Sequence, residues 1–205
     1  MEYDTSAPIS SFVRVAKDVL LQPASFFASI APTAKEDEES VRAAVWFVVA
    51  CALAYVILAG AYEIIAAVSL GGMSRISIFG LEGLAAIAAF ALLLGMLVPL
   101  LALIQLYVVA FLLHIPVMIF AGPQRRSYYS TLKIYAYLAV TLLFGWVPVV
   151  WFVLSLYQAY LAGAGVRELH RTSTRRAAIV GVIVLAVSLL FLWLDPASIL
   201  RGGFG

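Results

Sequence analysis

The sequence predicts an all-α integral membrane protein. It would cross the bilayer five times, N-terminus inside and C-terminus outside, with an N-terminal amphipathic helix on the inner leaflet. Three observations predict this. Of 205 residues, 64% are hydrophobic and 12% charged, about half the charged share of soluble domains. A soluble domain of this size has too little interior to hide so much apolar side chain. The apolar residues also come in runs of bilayer-spanning length, and the cations collect between alternate runs.

Residues 1–10 read as polar and loose. From 11 to 30, Phe12, Ala16, Val19, Leu20 and Pro23 recur at helical spacing, with Arg14, Lys17 and Asp18 on another side. This is an amphipathic pattern. Pro23 interrupts it. Proline suits the first turn of a helix, so a second short helix is expected through Phe26, Phe27 and Ile30. Lys35 and the acidic run Glu36, Asp37, Glu38, Glu39 form a solvated linker. Residues 1–40 are thus a cytoplasmic segment ahead of a membrane unit, 41–196, and a short outer tail, 197–205.

The first span lies within Ala43 to Leu70 and ends at Gly71-Gly72. The next run, Leu84 to Phe120, has 37 residues. As one helix it would extend about 55 Å, nearly twice the hydrocarbon thickness of about 30 Å. It is either two short spans or one span with an interfacial part, bent at Gly95 and Pro99. The block Thr131 to Val166 breaks at Gly145-Trp146-Val147-Pro148 and reads as two short antiparallel spans. The last span is Ala177 to Leu194, closed by Asp195-Pro196.

Charge decides the count. If the 37-residue run crosses once, 11 of the 13 Lys and Arg fall on the inner face, and Arg75 and Arg201 outside. If it crosses twice, the loops 121–133 and 167–176 move outside with seven cations. The positive-inside rule favours five spans. The first residues carry no cationic start followed by an apolar stretch, so no cleavable signal peptide is expected. A single cysteine, Cys51, precludes an internal disulfide.

The sequence holds no HExxH, no phosphate-binding Gly-Lys-Ser loop, no paired cysteines and no Gly-x-Ser-x-Gly. An enzyme, a cofactor and a bound metal are therefore not expected. Nucleic acid is not expected as a partner, because the basic residues sit on short loops at a membrane surface. Glu63 is the one acid within an apolar run. An intramembrane carboxylate is costly and often functional. It follows Arg42 by 21 residues, or about 31 Å of helix, which puts it at the outer interface beside Tyr62. Gln105 and His114 on the long run could line a path or hold a ligand, although such residues more commonly bond neighbouring helices. His114, Glu168 and His170 have metal-ligand chemistry, but their spacing specifies no site. Tyr135, Tyr137, Tyr157 and Tyr160 could share a polar cluster between the third and fourth spans, and Ala162-Gly163-Ala164-Gly165 offers small residues for close helix contact. Arg14, Lys17, Arg125, Arg126, Arg167, Arg171, Arg175 and Arg176 set topology and would gather anionic lipid headgroups, at about 1 kcal/mol each near the surface.

Several segments are familiar together. Pro23-Ala-Ser-Phe-Phe precedes the first span. Gly122, Tyr128 to Lys133 and Tyr135-Ala-Tyr lead into the third. Trp146-Val-Pro-Val-Val-Trp makes the tight turn, and Gly165-Val-Arg-Glu-Leu-His-Arg-Thr-Ser-Thr-Arg-Arg-Ala leads into the last span. In these segments the sequence resembles the Yip-domain family, prokaryotic branch, over about residues 20–194. The resemblance implies a five-span fold. Eukaryotic members are associated with Rab GTPases, vesicle traffic and membrane shaping, and carry an Asp-Leu-Tyr-Gly-Pro motif that this sequence lacks.

Within the last of these segments, Gly165 is expected to let the fourth helix end, and Thr172, Ser173 or Thr174 to cap the fifth. The leading functional expectation is a non-enzymatic membrane organiser or adaptor in the inner (cytoplasmic) membrane. It would engage anionic lipid or a cytoplasmic protein partner through its inner basic loops. The rival is a small transporter or channel for an unidentified solute or lipid, with Gln105, His114, Tyr135 and Tyr157 along its path. The small residues in the spans would permit a homo-oligomer.

Overall fold

The residue before a proline is pushed out of the α region, and Gln22 before Pro23 takes φ −139° and ψ 55°. That single residue divides the N-terminal segment into α1 (Pro8–Leu21) and α2 (Pro23–Ser29), each with proline in its first turn. After them come α3 (Glu38–Ser69), α4 (Gly80–Phe120), α5 (Tyr128–Leu138) continued by a 3₁₀ stretch (Ala139–Phe144), α6 (Trp151–Leu169) and α7 (Thr174–Leu194). A computed structural model describes residues 2–30, 38–69, 80–122, 126–147 and 150–194, excepting the side chains of 38–40, 63–64, 66–69, 80–90 and 191–194. Among the described residues all regular structure is helical.

The long apolar run is one helix. α4 continues for 41 residues with Pro99 and Pro116 inside it, about 61 Å at 1.5 Å per residue. Proline removes one backbone donor and strains one turn, but the chain does not reverse, so this run passes through the bundle once. The next pass is built differently. α5 supplies 11 helical residues and the 3₁₀ stretch six more. The larger rise of the 3₁₀ form brings their combined length to about 28 Å. Gly145 and Val147 then turn the chain through N–H bonds to Leu142 and Phe144, and the Trp146 indole donates to the Leu143 carbonyl at 2.7 Å.

Among the described residues α3 to α7 run between two ends of the bundle. At one end the Tyr62 ring on α3 meets Trp146 in the α5–α6 turn, centroids 5.6 Å apart. At the other, Thr172 in the α6–α7 turn donates to the Ala121 carbonyl just beyond α4, at 3.0 Å. The N-terminal segment packs on the side formed by α3, α5 with its 3₁₀ continuation, and α6. Its residues 2–6 are ordered, contrary to the loose arm expected: Tyr3 is buried edge-on against Phe47, and the Asp4 amide donates to Ser11 Oγ at 2.7 Å. The Ser6 hydroxyl and amide both donate to the Asp4 carboxylate, which holds its carboxyl below the usual range. Glu2 lies 3.5 Å from the Lys133 ammonium. Lys133 is not the solvated loop cation that charge counting implies, because its side chain is only 3% exposed.

α2 wedges against α5 and α6. Phe26 meets Tyr137 of α5 at 4.8 Å, and Tyr137 meets Phe47 of α3 at 5.3 Å. Aromatic pairs such as these, the first edge-on and the second tilted, add about 0.5–1.5 kcal/mol beyond area burial. α1 turns Ser11, Val15, Ala16 and Val19 into the same core. The expected stripe of α1 thus lies partly against protein, while Ile9 and Val13 are exposed beside Arg14 and Lys17.

Small residues set the helix spacing. A Cβ on Gly181 of α7 would lie 2.7 Å from the Ala159 carbonyl oxygen of α6 and 3.7 Å from the Gly163 Cα. Gly165 corrects an expectation. It does not end α6, which runs on to Leu169. A Cβ there would meet Ile134 at 2.9 Å and Phe27 at 3.3 Å, so Gly165 is a contact point for α5 and α2. α6 ends instead with His170 as its cap, Arg171 at φ +50°, and the Thr172 amide donating to the Arg167 carbonyl at 3.1 Å. This is a Schellman termination, with arginine where glycine usually sits. α7 starts at Thr174, as the capping pattern implied, and the Ala177 amide donates to the Ser173 carbonyl.

Val41–Tyr62 and Ala91–Phe120 are long and apolar enough to cross a membrane. Most of α4's apolar surface faces outward: Leu92 is 71% exposed, Met96 77% and Ile119 67%. In water an apolar face of this length would be an aggregation site.

Gly181→Val should lower the thermal midpoint in detergent by the equivalent of about 1–3 kcal/mol. Gly95→Ala, which faces open space, should leave it unchanged or raise it slightly. Glu2→Gln should destabilise by less than the about 3–5 kcal/mol of a fully buried broken pair, because the Glu2 side chain keeps 27% exposure. Lys133→Met, which removes the buried charge, should cost less than Glu2→Gln in the same melts.

Candidate functional site

The richest polar cluster lies where the ends of α4, α5 and α6 converge. Gly122, just after α4, has φ +86°, a conformation that suits glycine. The Arg176 guanidinium lies against it, where any Cβ would collide. Ser127 caps α5 by accepting from the Tyr129 amide at 3.3 Å. Tyr128 follows; its hydroxyl donates to the Tyr107 carbonyl on α4 at 3.1 Å, and its ring stands edge-on to His114, centroids 5.6 Å apart.

Thr131, one turn into α5, is fully buried and its Oγ1 lies between two imidazoles. It is 2.8 Å from His114 Nδ1 and 3.1 Å from His170 Nε2. His170 is likewise fully buried, and its Nδ1 accepts from the Arg126 backbone amide at 3.1 Å. A ring nitrogen that accepts carries no proton, so in the neutral ring the proton is on Nε2 and points to Thr131. Thr131 Oγ1 thus accepts from His170 and shares a second bond with His114 Nδ1, whose tautomer sets which of the two donates. Chemically this is a fastening that joins α4, α5 and α6 beneath the two cation-bearing loops.

The sequence-predicted residues divide among several places. His114 and His170 come together, with Arg126 contributing its backbone. Glu168 does not join them; it pairs with the neighbouring Arg167, Oε1 to Nη2 2.6 Å, at a part-exposed position. Among the described residues no three His, Cys, Asp or Glu side chains gather in a metal-binding group. Arg14 and Lys17 are exposed on α1, as are Arg171, Arg175 and Arg176 around the α6–α7 turn. Arg125 and the side chain of Glu63 lie outside the described residues.

The four tyrosines share no network. The Tyr157 hydroxyl donates to the Leu20 carbonyl and holds the end of α1. Tyr157 stacks loosely with Tyr160, whereas the Tyr135 and Tyr137 hydroxyls are buried without a hydrogen-bond partner. Gln105 and Tyr135 line a separate cavity between α4, α5, α6 and α7.

Sequence reading missed Thr131 and the Glu2–Lys133 pair. Thr131 stands 17 residues from His114 and 39 from His170, and no local pattern marks such separations. The only visible signal was a polar residue at the head of an apolar block.

The family model described as Yip1 domain matches residues 17–194. No curated protein and no solved structure matches the chain.

Thr131→Val keeps the shape but leaves both histidines without their shared partner. It should destabilise the protein by about 1–3 kcal/mol, read as a lower thermal midpoint. Thr131→Ser should recover most of the loss.

Proposed function

The chain belongs to the Yip1 domain family, and on that footing we propose that it is a non-enzymatic membrane organiser or adaptor of the prokaryotic branch. It spans the inner membrane five times, N-terminus in and C-terminus out, and engages anionic lipid headgroups through its cytoplasmic basic loops. A cytoplasmic protein partner would use the same surface.

The observation that carries this reading is the end at which the cations sit. Arg171, Arg175 and Arg176 are exposed at the end where Thr172 meets Ala121, and Arg14 and Lys17 are exposed on α1. That end is held rigid by the His114–Thr131–His170 bridge. Beside Arg14 and Lys17, α1 exposes Ile9 and Val13, 80% and 60%. Cations with adjoining apolar side chains suit a helix at the headgroup boundary. The transport reading needs Gln105, His114, Tyr135 and Tyr157 on one path. His114 is engaged with Thr131, and Tyr157 with Leu20, away from the cavity that Gln105 and Tyr135 line. Their dispersal favours the organiser.

The test is lipid retention by the tagged protein extracted from its native membrane. Each neutralisation among Arg14, Lys17, Arg126, Arg175 and Arg176 should weaken anionic-lipid retention about fivefold, the equivalent of about 1 kcal/mol, and less at high salt. An unchanged lipid and partner profile after all five are changed to Gln would sink the proposal. Arg171→Gly separates the two roles of that residue. Relief of the left-handed backbone should raise the thermal midpoint by the equivalent of about 1 kcal/mol, while retention of anionic lipid falls.

A further inference from the structure

Gln105 stands at the midpoint of the 30-residue apolar stretch Ala91–Phe120. Its side chain is exposed and makes no hydrogen bond among the described residues. Hydrocarbon offers an amide no partner, so a polar group at this depth marks something that supplies one. Gln105 lines a cavity of about 520 Å³ between α4, α5, α6 and α7. Along α4 the lining runs from Ala102 to Pro116, about 21 Å of helix. Val108 and Leu112 of this wall are each 52% exposed. The cavity is therefore open on the side where acyl chains would lie.

Its polar groups are all uncharged. Gln158 Nε2 donates to Thr141 Oγ1 at 2.7 Å, and Thr141 in turn donates to the Leu138 carbonyl at 2.8 Å. That leaves Gln158 with a second N–H and its amide oxygen. Ser188 faces them from α7, and Tyr135 forms part of the wall with its hydroxyl enclosed and unpartnered. Two amides and a serine hydroxyl both donate and accept. Ester carbonyls need the donors, and a free hydroxyl needs the acceptors. The remaining lining is aliphatic, apart from the ring of Tyr135. The volume falls within the range of about 300–1,000 Å³ typical of small-molecule sites, enough for a glycerol ester and the first part of its chains.

We propose that this cavity binds an uncharged acylglycerol-type lipid, entering sideways between α4 and α7, with its ester and hydroxyl oxygens at Gln105, Gln158 and Ser188. The site rests on the membrane reading of the chain and is separate from the basic end. An anionic phospholipid is excluded because its phosphate would be buried with no cation to meet it.

The test uses the full chain in phosphatidylcholine vesicles with a diacylglycerol carrying a diazirine in one acyl chain. After illumination, adducts should concentrate on peptides covering 102–116 and 183–188. Excess unlabelled diacylglycerol should suppress them at least tenfold, and excess phosphatidylglycerol should not. Ala102→Trp, which fills the cavity, should reduce labelling about tenfold. Gln105→Leu, at an exposed position that any apolar residue tolerates, should reduce it severalfold with the thermal midpoint retained. Three results would overturn the proposal: adducts spread evenly over the outward face of α4, equal labelling by a diazirine phosphatidylglycerol, or efficient disulfide crosslinking of Gln105→Cys between two copies. The five-fold Gln variant of the basic end should label normally, so a failure there and a failure here are told apart.

Discussion

The Thr131 hydroxyl is the contact on which the cation-bearing end depends. One oxygen meets imidazoles from two other elements, and the second of those imidazoles reaches the backbone of a third segment at Arg126. In an apolar surrounding each of these groups would be expensive alone. Together they are satisfied, and the arrangement fixes the register of α5 against α4 and α6. The loops that bear Arg126, Arg171, Arg175 and Arg176 are anchored to it. The proposed headgroup surface would need such a base, since side-chain ordering otherwise weakens each contact.

Elsewhere the chain relies on closeness more than on buried area. Between helices in a bilayer there is little hydrophobic gain, because lipid is as apolar as leucine. The structure answers with backbone approach. Gly181 admits the Ala159 carbonyl, and Gly165 admits Ile134 and Phe27. The N-terminal segment is held by the opposite logic. Tyr3, Phe26, Phe47 and Tyr137 form a continuous aromatic cluster that ties the N-terminal segment to α3 and α5. Glu2 reaches over it to the buried Lys133.

Helix type, helix order and the turn at Gly145-Trp146 were legible in the sequence, because each is local. Pro23 at a first turn and Thr174 at the start of α7 need no knowledge of the rest of the chain. The exposure of Arg171, Arg175 and Arg176 around the α6–α7 turn is local in the same sense. What could not be read was anything set by distant approach. Lys133 looked like one more loop cation until Glu2 and the N-terminal arm covered it. Gly165 looked like a helix terminator because glycine often is one, and its actual role is defined by Ile134 and Phe27 on two other helices. His114 and His170 could be named as candidates, but the residue that joins them is a threonine with no distinguishing neighbours. The single helix through Pro99 was one of two readings, and only continuity of the backbone decided between them.

The unequal lengths of the passes have a mechanical consequence. The apolar part of α4, Ala91–Phe120, has 30 residues, about 45 Å of helix. α5 and its 3₁₀ continuation together reach about 28 Å. To fit a hydrocarbon layer of about 30 Å by leaning alone, α4 would need a tilt of about 48°, beyond the usual 0–40°. The bilayer must thicken beside α4, or part of the helix must stand out of it, while the shorter pass asks for no such change. Where the bilayer thickens, a protein with one long wall and one short wall would impose a thickness gradient on its surrounding lipid. Several copies placed side by side would share that deformation and be drawn together by it, without touching through any specific contact.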